Sequence, residues 1–150
     1  MRYFIIPVCA LLISLNTYAQ DPGSRFKNAI KESSSSDLPI LLIFSGSDWC
    51  KPCIKLREEI LDSDHFNEFK KHLIILHCDF PYRKRNKPSV TIQKENELLA
   101  DRYNPSGEFP KVILINQETE VLGEVPIKKD MTPEEFIHSI KEISKNRHVK

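Results

Sequence analysis

Two cysteines three positions apart, Cys50 and Cys53, enclose Lys51-Pro52 and follow directly on Trp49. At that spacing on a helix the side chains lie about one turn from each other, close enough to close a disulfide with little backbone rearrangement. The chemistry such a pair supports is thiol–disulfide exchange; its rivals are half of a zinc site and a fixed disulfide staple. No second ligand pair follows at zinc-site spacing, so redox chemistry is the favoured reading and no metal is expected.

The two thiols divide the work. Cys50 opens the helical turn, where unpaired backbone N–H groups and the positive end of the helix dipole stabilise a thiolate, which makes it the expected nucleophile. Cys53, on the same helical face and expected to be the more buried, is placed to attack a mixed disulfide formed at Cys50 and so resolve it. Pro52 suits the first turn, where its missing N–H has no intrahelical acceptor. Lys51 favours ionisation of Cys50 and Asp48 opposes it, which leaves the direction of electron flow open.

Elements on either side must hold this motif. The near-continuous apolar run Leu38 to Phe44 reads as a strand buried on both faces, and Ser45-Gly46-Ser47-Asp48 turns the chain into the motif. From Cys50 a helix runs through Leu56 and Ile60, with a break near Asp62 to Asp64 before Phe66 and Phe69. Before the strand, Phe26, Ala29 and Ile30 recur at helical spacing, predicting a short helix over 24–32 that the Ser33 to Ser36 run ends. A second strand spans Leu73 to Cys78, then an exposed basic loop (Phe80 to Ser89) and a helix from Thr91 to Tyr103. Val112 to Ile115 and Glu120 to Val125 form a hairpin. Thr132, Pro133 and Glu135 supply the capping signals of a last helix with an apolar stripe of Phe136, Ile137, Ile140 and Ile143.

Arg2, the apolar stretch Tyr3 to Leu15 and the small residue Ala19 read as a secretory signal over residues 1–19, leaving one domain over 20–150. The apolar run is shorter than the roughly 20 residues that span a bilayer, so a permanent transmembrane helix is the weaker reading. Arg2 is the sole charged residue in the leader, and its loss from 22 basic side chains equals the 21 acidic ones. A balance of zero gives no support to nucleic-acid binding. Cys9 goes with the leader, and the three cysteines that remain are too few for a disulfide scaffold. Cys78 is expected to be a free core cysteine. His77, its neighbour on the strand, points to the opposite face, while His65, His72, His138 and His148 read as surface positions.

The order helix, strand, helix, strand, helix, hairpin, helix, together with Leu41-Leu42-Ile43-Phe44, Trp49-Cys50-Lys51-Pro52-Cys53 and Phe109-Pro110 before the strand Lys111 to Ile115, resembles the thioredoxin family. Gly46-Ser47-Asp48-Trp49-Cys50 with Ile54-Lys55-Leu56 looks closer still to its exported bacterial members. The resemblance implies an α/β thioredoxin-like fold, a central mixed β-sheet flanked by helices on both faces. It also implies a cis Pro110 facing the disulfide and a Phe109 backbone that aligns an extended substrate segment, with Trp49, Lys51 and Pro52 contributing to the substrate surface. Trp49 is expected to be both core and shield of the disulfide.

The implied activity is thiol:disulfide exchange on protein cysteines by a periplasmic reductase or isomerase with no cofactor beyond its cysteine pair. The implied partners are protein thiols and disulfides and a membrane-linked electron donor, and the protein is expected to be a monomer. The competing function is a noncatalytic binding module of the same fold whose disulfide is static. Two departures stand out: the strand before the motif carries no carboxylate at Ile43 or Phe44, and the family's usual first strand is missing. Reduction through Cys53 is then slower or uses another proton acceptor.

Overall fold

A computed structural model describes residues 24–145; the expected leader, Cys9 and His148 lie outside them. Four strands form a mixed sheet in the order β2-β1-β3-β4. The motif strand β1 (Ile40–Ser45) is central, parallel to β2 (Ile74–Asp79) and antiparallel to β3 (Lys111–Ile115), which continues into β4 (Val121–Glu124) as the expected hairpin. The apolar side chains of β1 are all buried because both of its faces are covered.

Alternation along the strands sends side chains into two core layers. Leu41 and Ile43 join Leu56, Ile60, Phe66 and Phe136 beneath α2 (Lys51–Leu56), α3 (Asp64–Phe69) and α5 (Pro133–Lys145). Ile40, Leu42 and Phe44 join Cys78, Leu99 and Tyr103 beneath α1 (Ser24–Ser36) and α4 (Val90–Tyr103). The expected covering of both faces is therefore present.

Helix α1 does not stop at residue 32 but runs through the serine run to Ser36. The hydroxyls of Ser34, Ser35 and Ser36 donate to carbonyls three or four residues back, so they satisfy themselves without leaving the helix. Ser33, fully buried, donates instead to Leu38 O, and Asp37 ends the helix in the left-handed region at φ 56°. The break after the motif helix takes a specific form. Arg57–Leu61 is a π-helical turn, and Ser63 Oγ caps α3 by accepting from Phe66 N at 3.2 Å. The capping box of α5 forms as expected: Thr132 N donates to Glu135 Oε2 and Glu135 N to Thr132 Oγ1.

One polar cluster ties α1 and α4 to the end of β2 near the motif. Glu95 and Asn96 of α4 are buried. Glu95 Oε2 lies 2.6 Å from Arg25 Nε, and its Oε1 accepts from Phe26 N at 2.9 Å, so a carboxylate from α4 satisfies an open N–H in the first turn of α1. Asn96 Nδ2 donates to Asp79 O at 2.9 Å, and Arg25 to His77 O at 3.2 Å, which fixes the end of β2.

Candidate active site

Strand β1 delivers the chain to the site through a tight turn. The Gly46 carbonyl accepts from both Trp49 N (3.2 Å) and Cys50 N (2.9 Å). Asp79, at the end of the neighbouring strand, clamps this turn: its carboxylate accepts from Ser47 N at 2.9 Å, Ser47 Oγ at 2.6 Å and Ser45 Oγ at 3.3 Å. Cys50 then takes the N-cap position of α2, with Pro52 in the first turn.

Cys50 and Cys53 are joined as a disulfide with their Cα atoms 5.2 Å apart. Cys53 N also donates to Cys50 Sγ at 3.3 Å, an amide positioned to stabilise negative charge on that sulfur once the bond opens. The expected difference in exposure is absent: Cys50 is 5 % exposed and Cys53 4 %. What separates them is surroundings. Cys50 lies between Trp49 and Lys51 at the head of the helix, whereas Cys53 lines a small cavity with Ser47, His77 and Asp79.

The Phe109–Pro110 peptide is cis. Pro110 lines a groove of about 540 Å³ together with Lys51, Pro52, Ile127, Lys128 and Met131, so the proline loop, the head of α2 and the segment before α5 meet on one side of the motif. Across the motif, Phe109 meets Trp49 edge-on with ring centroids 5.7 Å apart, and Phe80 at 5.5 Å. Trp49 is half exposed and belongs to neither core layer, contrary to its expected core role. Its ring rests on Gly46, and its Nε1 donates to Phe80 O at 2.8 Å. A bulky ring held at one polar edge with its face open is suited to receive an apolar segment.

Asp48 does not bear on Cys50 alone. Its carboxylate accepts from Tyr82 N (2.8 Å), Arg83 N (3.0 Å) and Asn86 Nδ2 (2.8 Å), which moors the basic loop against the motif turn. Partial burial pushes its pKa up, but those three hydrogen bonds and the Arg83 charge together hold it below the usual carboxylate value.

Cys78 is a buried free thiol in the layer beneath α1 and α4, on the face of the sheet opposite the one that α2 covers. Burial pushes its pKa up to about 12, so at neutral pH it is an un-ionised core side chain. Among the described residues, His65, His72 and His138 are exposed, and no three His, Cys, Asp or Glu side chains converge as a metal cluster. Ser47, His77 and Asp79 meet Cys53 only through the fold, since none is near it in a helical or strand repeat. For His77 the usable signal was parity: it stands opposite Ile43 in register, on the face away from Cys78.

A family model described as a thioredoxin-like domain matches residues 26–144. The chain is 36 % identical over 118 residues to the disulfide bond reductase DsbH of Chlamydia pneumoniae, covering 78 % of this chain and 64 % of that protein. It is 32 % identical over 93 residues to the thioredoxin-related protein DsbJ of the same organism, covering 62 % of this chain and 26 % of that one. It therefore spans only part of the length of either curated relative.

Among solved structures, a DsbH oxidoreductase matches with a TM-score of 0.73 and 29 % identity over 80 % of this chain and 81 % of that one. A disulphide isomerase from Xylella fastidiosa Temecula1 shares the fold, with a TM-score of 0.59 and 18 % identity over 90 % of this chain and 99 % of that one. Sheet order, cis-proline loop, motif and family match agree, and the chain belongs to the thioredoxin-like family.

Proposed function

We propose that this protein is an exported thiol:disulfide oxidoreductase that works on protein cysteines as a reductase or isomerase through the Cys50/Cys53 pair. The observation that carries the reading is the placement of the disulfide at the head of α2, between the open face of Trp49 and a groove lined by Pro110. A fixed staple needs no such approach for a second chain. The DsbH relative is named a disulfide bond reductase, which supports the same reading. Export is supported by the leader pattern of residues 1–19.

In the reducing direction Cys50 thiolate attacks a substrate disulfide, one substrate sulfur leaves, and Cys53 displaces the other by attacking Cys50. The groove takes an extended segment beside the proline loop, where the backbone of Phe109 offers strand-like hydrogen bonds. Lys51, Lys128 and Lys129 stand on its rim, while Lys55 is paired with Asp130 at 2.8 Å. Each turnover leaves the pair oxidised, so a thiol donor must return two electrons, and a membrane-linked one fits an exported protein.

The test combines differential alkylation with mass measurement across thiol redox buffers and an insulin-reduction assay. A pair that exchanges in mild buffers and reduces insulin is the expected outcome. A pair that resists mild reduction, with no insulin turnover, would establish a static disulfide and a binding module instead.

A further inference from the structure

Cys53 is 4 % exposed, yet resolution requires its sulfur to lose a proton at the moment it attacks. Cys53 lines a cavity of about 220 Å³ between α2 and the ends of β1 and β2, whose polar border is Ser45, Ser47, Arg57, His77 and Asp79. Two of these side chains have the chemistry of a proton acceptor. Asp79 is the less available of the two, since its oxygens already accept three hydrogen bonds from Ser45 and Ser47 that hold the motif turn. The imidazole of His77 takes part in no side-chain hydrogen bond or ion pair found among the described residues, and its residue is open to solvent while also lining the cavity. It therefore spans from the enclosed thiol to bulk water.

We infer that His77 is the proton acceptor for Cys53 in the resolving step, directly or through one water in the cavity. This rests on the oxidoreductase reading above. In the mixed disulfide at Cys50, the Cys53 S–H passes its proton to the imidazole. The Cys53 sulfur then attacks Cys50 Sγ and forms the Cys50–Cys53 bond. The substrate sulfur leaves with both electrons of the broken bond and is protonated by solvent, and the imidazolium returns its proton to water. The strand position that faces Cys53 from β1 is Ile43, and its register partner on β2 is His77, so the acceptor comes from the neighbouring strand.

Burial of part of the ring, against the pull of two nearby carboxylates, keeps it in its accepting form. Partial burial lowers the His77 pKa below its ordinary value and Arg25 of α1 lowers it further, while Asp79 on its own strand and Asp62 after the π-helical turn pull it up, with a net lowering. Arg57 borders the same cavity from the side of that turn. At neutral pH the imidazole is thus uncharged and free to take a proton.

The test is stopped-flow reaction of the reduced protein with Ellman's reagent, in which the first thionitrobenzoate released reports attack by Cys50 and the second reports resolution by Cys53. His77→Gln is expected to leave the first phase unchanged and to slow the second at least about tenfold at pH 7. It should also remove the loss of rate that the wild type shows as pH falls through the His77 pKa. In His77→Ala, added imidazole should restore the second phase, a rescue that a structural role for His77 would not give. A wild type that releases both equivalents, with a second phase of the same rate and pH profile in His77→Gln, overturns the His77 assignment alone. A wild type that does not turn over at all overturns the oxidoreductase reading with it.

Discussion

The indole of Trp49 rests on the backbone of Gly46 so closely that a Cβ at Gly46 would lie 2.3 Å from Cε2 of the ring. The glycine is required here for close approach, and the ring is also held by the hydrogen bond from Nε1 to Phe80 O and by its edge contact with Phe109. Gly46→Ala should therefore swing the indole off the turn and break that bond. Because Trp49 is the single tryptophan, its fluorescence reports the change directly. We expect a red-shifted emission, a stability loss of about 1 kcal/mol and a larger loss in insulin reduction than in reaction with a small disulfide. Unchanged emission and activity would show that the ring's seat on Gly46 is immaterial.

The roles proposed for the two cysteines should differ in outcome, although their exposures do not. With Cys53→Ser, a partner attacked by Cys50 has no intramolecular route of release and should accumulate as a mixed disulfide visible on non-reducing gels. Cys50→Ser leaves Cys53 as the motif's remaining thiol, nearly closed to solvent, and should trap few partners. Comparable yields from the two variants would contradict the division of roles.

Asp48 links the site to pH through the basic loop. Its folded-state pKa is lowered, so the mooring contributes stability above the ordinary carboxylate range and loses it as pH falls through the lowered value. In an acid titration followed by NMR, the amides of Tyr82 and Arg83 should shift together with an inflection below 3.8, the value the free side chain would show. At neutral pH, Asp48→Ala should expose Arg83 to Lys87 to faster tryptic cleavage, with little change in global stability. Cleavage at the wild-type rate would mean that the loop is held by something else.

The strands and the motif were legible because their signals are local. The run of apolar residues before Ser45 and the spacing of Cys50 and Cys53 lie within a few positions of one another. The alternation of His77 and Cys78 was legible for the same reason, since successive strand residues face opposite ways. That Cys53 would meet His77 was not, because the meeting depends on the β1–β2 register and on which face α2 covers. The serine run misled through propensity: buried Ser33 and the back-bonding of its successors kept α1 helical. The cis state of Pro110 came from family resemblance, as an X-Pro pair before a strand carries no isomer signal of its own.

The Arg25–Glu95 pair was the least legible feature, since its members stand 70 positions apart, and it offers the sharpest test of how α1 is held. Glu95 is nearly closed to solvent while Arg25 keeps 31 % of its side chain exposed, so the pair is buried on one side only. Removing Arg25 leaves a buried carboxylate with Phe26 N as its remaining partner there, whereas Glu95→Gln keeps an acceptor and removes the charge. Arg25→Ala should thus cost about 2 kcal/mol in urea denaturation, discounted from a fully buried pair for the exposure of the guanidinium, and Glu95→Gln less. In the double variant the total loss should fall short of the sum of the two, because each single change already removes the same charge–charge attraction. Strict additivity would show that the pair does not couple α1 to α4.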